Sequence, residues 1–373
     1  MTSCHRLFFF IHSCYFAGML IKVLSAEKYT LKLREPFSYH TLTLNSLPYV
    51  LIRVTTDTGL VGIGEAALAW DVTGETQAGA LAAIKLIEPL IIGVNLLEVD
   101  DVKTLMMDVE AYLAGNTGLK AAVESALFDV LGQKEGKPIF ELLGGKKKPF
   151  ILLQKTFSFE EMSDDPENII QKAQTQGVNI FKFKVGGNIS AEANKLKTIS
   201  ELFPGINIVI DANQAWDSPA QVLIFLEMLG SVKIGWLEQP LHAHDYDGLA
   251  TLRKKTQIPI MVDESCHNLW HLKILNEKKA LDSVNIKLSK CGGLLEAKRM
   301  IDYCDTHGLK YMLGDMIQSD VGTAYNLHAA CLGDFVSYDL TLPSRFHSSE
   351  VSGLSWDGYR VEVPTKQGLG VTC

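Results

Sequence analysis

Two hydrophobic periods divide the chain. Residues 20–33 (LIKVLSAEKYTLKL) and 48–66 (PYVLIRVTTDTGLVGIGEA) alternate apolar and polar positions, which predicts strands. Asp57–Gly59 interrupts the second run as a turn, so a hairpin is expected there, and residues 34–46 (REPFSYHTLTLNS) read as a polar loop. From 75 to 143 the period becomes helical, in ETQAGALAAIKLIEPLI, LLEVDDVKTLMMDVEAYL and GLKAAVESALFDVLGQKEG. After about 150, short apolar runs recur: VNIFKFKV (178–185), INIVIDAN (206–213), IGWLEQP (234–240), IPIMVDES (258–265), SVNIKLS (283–289), LKYMLGD (309–315) and FVSYDL (335–340). Amphipathic helical segments fill the gaps. Repeated β-then-α units imply a parallel sheet, and their number favours an α/β fold of the (β/α)7β barrel type.

The expected organisation is an α+β capping domain over 19–143, a barrel over 144–342 and a C-terminal segment, 343–373, packing back on the cap. Gly62 and Gly64 form a GxG, but it lies in a hairpin, where turn geometry accounts for it. No GxGxxG follows the first strand, so a dinucleotide fold is not expected.

The chemistry sits at the ends of the apolar runs. Lys184, Asp211, Glu238, Asp263 and Lys287 each close a predicted strand, at intervals of 27 (211 − 184), 27 (238 − 211), 25 (263 − 238) and 24 (287 − 263). One interval is one βα unit, so a barrel brings all five to the same mouth. Singly, each has a bland explanation: Asp263 as a helix N-cap, Glu238 as a loop residue before proline, either lysine as a snorkelling surface chain. Five in register are hard to explain that way. Three converging carboxylates repel one another unless a cation joins them, and all-oxygen ligands favour Mg2+ or Mn2+ over zinc. Lys182 and Lys184 share one strand face by period two, and Lys287 faces them across the mouth. That arrangement suits removal of a proton from one face of a carbon and its return from the other, with a metal-held carboxylate spreading the charge of an enediolate. Lys182 and the cation are expected to lower the pKa of Lys184.

Composition narrows the partners. The chain has 373 residues, 47% apolar and 21% charged, with a formal net charge of −8, which disfavours a general grip on nucleic acid. Seven cysteines without CxxC spacing read as reduced thiols of a cytoplasmic protein. The apolar stretch at 7–21 is broken by His12, Ser13 and Cys14 and is short for a membrane span. An over-long start, with residues 1–18 outside the fold, is favoured over an export signal. His242 and His244 read as a solvent-exposed loop rather than metal ligands.

KxK (Lys182, Lys184), DANQAW (211–216), EQP (238–240), DES (263–265) and NIKLSKCGG (285–293) together resemble the enolase superfamily, muconate-lactonizing subgroup. The resemblance runs from about residue 20 to the C-terminus and includes GNTGLKAAVESALFD (115–129). Within the subgroup the chain is most similar to dipeptide epimerases, typified by the L-Ala-D/L-Glu epimerase of murein-peptide recycling. This resemblance implies that Asp211, Glu238 and Asp263 bind Mg2+ and that Lys184 and Lys287 are the two acid/bases. It gives Lys182, Thr156, Asp315, Met316, Ile317, Asp339 and Thr341 to substrate binding, and makes the segment around 34–46 a lid. Dipeptide epimerases usually carry Asp-x-Asp where this chain has Asp339-Leu340-Thr341, and Gln318 stands where many members have Glu. Leu42 lies near the place of an arginine that some Ala-Glu epimerases use, with His40 or Arg34 as the candidate substitutes.

The expected ligand is therefore a small dipeptide, with neither nucleic acid nor membrane as partner and a homo-oligomer left open. The alternatives are an N-acylamino-acid racemase, a muconate-type cycloisomerase or a dehydratase on the same scaffold, and a catalytically dead binding protein. Lys287 argues against the sugar-acid dehydratases, which carry a His-Asp pair there, and the intact set of five argues against a binder.

Overall fold

The computed structural model describes residues 18–39, 42–157, 161–162, 165–341 and 353–372. The expectations for residues 1–17 and for His40 lie outside them. A four-stranded sheet, in the order β3-β2-β1-β4, opens the chain: β1 (Met19–Tyr39), β2 (Leu42–Thr56), β3 (Val61–Ala66) and β4 (Asn95–Leu96). The expected turn joins β2 and β3, with the Gly59 amide donating to the Thr56 carbonyl at 3.2 Å.

The expected loop at 34–46 is corrected. β1 and β2 stay paired along it, with Phe37 opposite Leu44 and Tyr39 opposite Leu42, after a register shift between Lys32 and Phe37. The alternation in LTLNS (42–46) continues the strand pattern, and a bulge absorbs the polar interruption. Residues 34–39 and 42–46 of the expected lid thus belong to two paired antiparallel strands.

Helices α1 (Gln77–Ile91), α2 (Val99–Tyr112) and α3 (Thr117–Glu135) follow. Residues 118–132 of α3 are buried without a break, so it is a core helix rather than an amphipathic surface one. β3 lies against it at very close range. A Cβ on Gly64 would stand 1.9 Å from the Ala122 carbonyl oxygen, and one on Gly62 2.1 Å from that of Ala126. The GxG is therefore explained by strand–helix contact and not by the turn, since both glycines lie inside β3.

Three buried carboxylates tie this layer to the rest of the chain. Glu65 accepts the Ser319 amide at 3.1 Å and also its hydroxyl. Glu124 accepts the Leu295 amide at 3.1 Å and the Tyr325 hydroxyl at 2.6 Å. Asp129 accepts the amides of Ile63 at 3.0 Å and Leu369 at 2.8 Å. Burial pushes Glu65 and Glu124 up to about 7 and Asp129 up to about 6.

After β5 (Phe150–Leu152) an eight-stranded sheet runs in sequence order: β6 (Lys155–Phe157), β7 (Ile180–Lys184), β8 (Asn207–Asp211), β9 (Ile234–Glu238), β10 (Ile260–Val262), β11 (Ser283–Lys287), β12 (Lys310–Gly314) and β13 (Tyr338–Asp339). Neighbours pair in parallel. The two ends meet where the Gln154 amide donates to the Tyr338 carbonyl at 3.0 Å and the Ser337 hydroxyl meets Gln154 at 2.5 Å, so the sheet closes as a (β/α)7β barrel. Phe181 and Phe183 point outward and are fully buried, and Phe157 stacks on Phe183 at 4.8 Å between centroids. Each such ring contributes roughly 1.5–3 kcal/mol of burial. The same alternation turns Lys182 and Lys184 inward. β15 (Arg360–Glu362) returns to pair with β5, and β14 (Trp356–Asp357) pairs with β15. Among the described residues, no helix is long and apolar enough to cross a membrane.

Candidate active site

Parallel register aligns the strand ends. Thr156 stands opposite Lys182, Lys184 opposite Asp211, and Asp211 opposite Glu238. On the far side Lys287 is opposite Gly314, and Gly314 opposite Asp339. A Cβ on Gly314 would meet Asn285 Oδ1 at 2.6 Å and Lys287 Cε at 3.1 Å, so glycine leaves the lysine its room. β7 and β11 are four positions apart in the eight-stranded ring, half its circumference. Lys184 and Lys287 therefore enter from opposite walls of a cavity of about 580 Å³ at the barrel mouth.

Thr156, Lys182, Lys184, Asp211, Asp263 and Lys287 border that cavity, as do Asp315, Met316, Ile317, Asp339 and Thr341. Glu238 is fully buried beneath them, and it meets Lys182 Nζ at 2.9 Å. The same ammonium lies 3.0 Å from both Asp211 and Asp339. Lys184 contacts Asn213 Oδ1 at 2.5 Å and Asp211 Oδ2 at 3.5 Å. Lys287 meets Asp263 Oδ2 at 2.7 Å, while Lys290, wholly buried, holds Asp263 Oδ1 at 2.6 Å and the Asn285 carbonyl at 2.9 Å.

Charge follows from these contacts. Burial acts against every ion here, and the partners decide the outcome. Burial raises Asp211 and Asp263, but the neighbouring lysines more than reverse it, leaving both below the usual carboxylate range. Glu238 is pushed up to about 7 by burial, and the repulsion of Asp211 and Asp263 adds to it. Asp339 is half-buried, and the loss of water raises it, yet Lys182 brings it down to about 2. Burial lowers Lys182 and Lys287, but Asp211 lifts the first and Asp263 the second above the ordinary lysine value. Asp315 is pushed up to about 6 by burial, although it accepts the Thr341 amide at 2.7 Å and hydroxyl at 3.0 Å.

These residues fit a hard divalent cation. Three carboxylates from adjacent strands share one buried space, and Glu238 Oε2 takes no aligned hydrogen bond despite its nearby lysine. Among the described residues no three acidic, histidine or cysteine side chains stand drawn together at ligand spacing. In this arrangement the ammonium groups of Lys182, Lys287 and Lys290 balance the acids instead.

Several site residues escape the strand-end spacing. Asn213 bridges Lys184 to Glu264, donating to Glu264 Oε1 at 3.2 Å, and burial and nearby acids push Glu264 up to about 7. Asn285 donates to Glu238 at 2.9 Å. Asn213, Gln214 and Gln239 all have positive φ, and so does Ile317 at 60°, a strained value for a β-branched residue. Tyr49 from β2 fastens that strained turn, its hydroxyl donating to the Ile317 carbonyl at 3.1 Å. Nothing in the local pattern of SLPYV marked Tyr49 for this contact. Gln318 faces the core, where it accepts Asn326 Nδ2 at 2.9 Å. His242 and His244 are exposed as expected, although His242 reaches the cavity rim.

Comparison with known proteins agrees with this geometry. Residues 21–144 match the mandelate racemase/muconate lactonizing enzyme N-terminal domain, and residues 167–373 match the enolase C-terminal domain-like family. The chain is 31% identical to an N-succinyl-L-Arg/Lys racemase of Bacillus cereus, over 94% of this chain and 95% of the relative. It is also 31% identical to a hydrophobic dipeptide epimerase of Enterococcus faecalis, over 95% of this chain and 100% of the relative. The solved structure of a dipeptide epimerase from Cytophaga hutchinsonii, complexed with Mg and D-Ala-L-Val, superposes with a TM-score of 0.87 at 30% identity, covering 95% of this chain and 96% of that one. The chain thus belongs to the mandelate racemase/muconate lactonizing enzyme family of the enolase superfamily, and it is an isomerase of the epimerase and racemase kind.

Proposed function

We propose that this enzyme is a Mg2+-dependent dipeptide epimerase acting at the Cα of the C-terminal residue. One observation carries the reading: Lys184 and Lys287 enter a single cavity from opposite walls, with acids on the strands between them. Asp211, Glu238 and Asp263 would hold the cation, Mg2+ or Mn2+. When bound, that cation supplies Lewis-acid withdrawal of charge from the substrate carboxylate, which acidifies the neighbouring Cα–H.

The chain's own groups do the rest. One lysine, as the neutral amine, takes the Cα proton; the C–H electron pair moves into the carboxylate system and an N–H bond forms. The opposite lysine, as ammonium, gives a proton to the other face and is left neutral. Burial opposes the charge on Lys287, but its contact with Asp263 holds it above the ordinary lysine value, which favours the ammonium needed for donation. Lys182 sits beside the acids, placed to steady the substrate carboxylate. Asp339, ionised and anchored by Thr156 at 2.6 Å, would take the free α-ammonium of a dipeptide. That acid favours a dipeptide over muconate, which carries no amine.

The second reading is an N-acylamino-acid racemase, favoured by Thr341, which stands where dipeptide epimerases usually carry a second acid. A cytoplasmic setting suits the free, buried thiols of Cys266, Cys291, Cys304 and Cys331. The test is deuterium uptake at Cα in D2O, with and without chelator. Uptake into dipeptides that stops with chelator and returns with Mg2+ supports the proposal. Uptake confined to N-acylamino acids favours the second reading.

A further inference from the structure

The cap side of the cavity has a chemistry of its own. Leu44 and Leu47 from β2, and Leu68, Trp70 and Val72 from the segment after β3, face the catalytic mouth. The three leucines are at most 8% exposed, whereas Trp70 is 43% exposed at the rim. Tyr49 belongs to this wall, but its hydroxyl is already used on the carbonyls of Met316 and Ile317. Asp71 is the charged cap residue among the described ones that border the cavity, and its sign is negative.

A side-chain carboxylate needs a cation. The lysines bordering the cavity are Lys155, Lys182, Lys184 and Lys287, and each already lies within 3.5 Å of an acid. Lys155 is paired with Glu161 at 2.6 Å, and the other three belong to the catalytic cluster. Arg34, the candidate substitute on β1, does not border the cavity. A glutamate or succinyl carboxylate placed against this wall loses its water, faces Asp71 and finds each bordering lysine already beside an acid. An apolar side chain loses nothing polar there and gains burial.

We infer that the preferred substrates are dipeptides with apolar side chains, the leucines and Trp70 forming the surface that receives them. This rests on the dipeptide reading and narrows it away from L-Ala-D/L-Glu and from N-succinyl amino acids.

The test measures Cα deuterium uptake by the Mg2+-loaded full chain on L-Leu-L-Phe, L-Ala-L-Glu and N-succinyl-L-lysine. The expected kcat/KM for L-Leu-L-Phe exceeds that for L-Ala-L-Glu by at least about 100-fold, the scale on which an unpaired buried group is rejected. Equal or better turnover of L-Ala-L-Glu overturns the inference and leaves dipeptide epimerisation standing. Uptake by N-succinyl-L-lysine alone, or by none of the three, overturns both. Trp70→Arg gives an independent reading, because the exposed site accepts a long polar chain. The ratio of kcat/KM for L-Ala-L-Glu over L-Leu-L-Phe rises by about tenfold or more in that variant, through KM. An unchanged ratio contradicts the assignment of this wall.

Discussion

Glu65 offers a quantitative test of how the cap is joined to the barrel. Its carboxylate lies on β3, is 4% exposed and takes both donors of Ser319. Burial raises it most strongly; Ser319 opposes this, and Asp315 and Asp320 add repulsion, leaving the pKa near 7 instead of 4.5. Below pH 4.5 the folded and unfolded chains both carry the proton. Between 4.5 and about 7 the folded chain keeps a proton that the unfolded chain has lost, so stability falls as pH rises. Above 7 the loss is complete. The difference between the two pKa values corresponds to roughly 3 kcal/mol.

Glu65→Gln preserves the shape and stays neutral, which removes this dependence. Urea unfolding of both proteins from pH 4.5 to 8 isolates the effect, because Glu124 and Asp129 titrate in each and cancel in the difference. The stability of the native protein relative to the variant should fall by roughly 3 kcal/mol over that range. A flat difference refutes the reasoning. A rising one shows that Ser319 outweighs burial and that Glu65 is an ion at neutral pH.

Lys290→Met strips Asp263 of a buried cation and removes the ammonium's bonds to the carbonyls of Asp263 and Asn285, so the metal-free protein should lose about 3–5 kcal/mol; an unchanged melting temperature contradicts this. Gly64→Ala drives a methyl into the Ala122 carbonyl and should cost about 1–3 kcal/mol or more, read by the same melt, and a neutral result means that β3 and α3 separate easily.

The ends of the barrel strands were legible in the sequence because each ended on a charge after a clean apolar run. A regular βα repeat then carried Lys184, Asp211, Glu238, Asp263 and Lys287 to one rim. Of the two strands that close the barrel, β13 lies within the run FVSYDL (335–340), whereas β6 has three residues, too short for alternation to show. Residues 34–39 and 42–46 misled because polar side chains on paired strands look like a loop when the pairing partner is unknown. The GxG of β3 misled for a related reason: close contact with α3 is a tertiary fact, and a turn was the local explanation at hand. Asn213, Glu264, Asn285 and Lys290 bond to the proposed catalytic set or to one another, and strand-end spacing carries no trace of such partners. The cap's apolar wall was equally hidden, because it joins β2 to the segment after β3 only once both pack over the barrel.

The central claim is that two amines address opposite faces of one carbon. Its direct measurement is Cα deuterium uptake by Lys184→Ala and Lys287→Ala, each supplied with the L,L and L,D forms of a turned-over dipeptide in D2O with Mg2+. The account predicts that neither variant epimerises and that each exchanges at most one stereoisomer, the opposite one in each case. Epimerisation at the native rate by either variant, or exchange of the same stereoisomer by both, would contradict it.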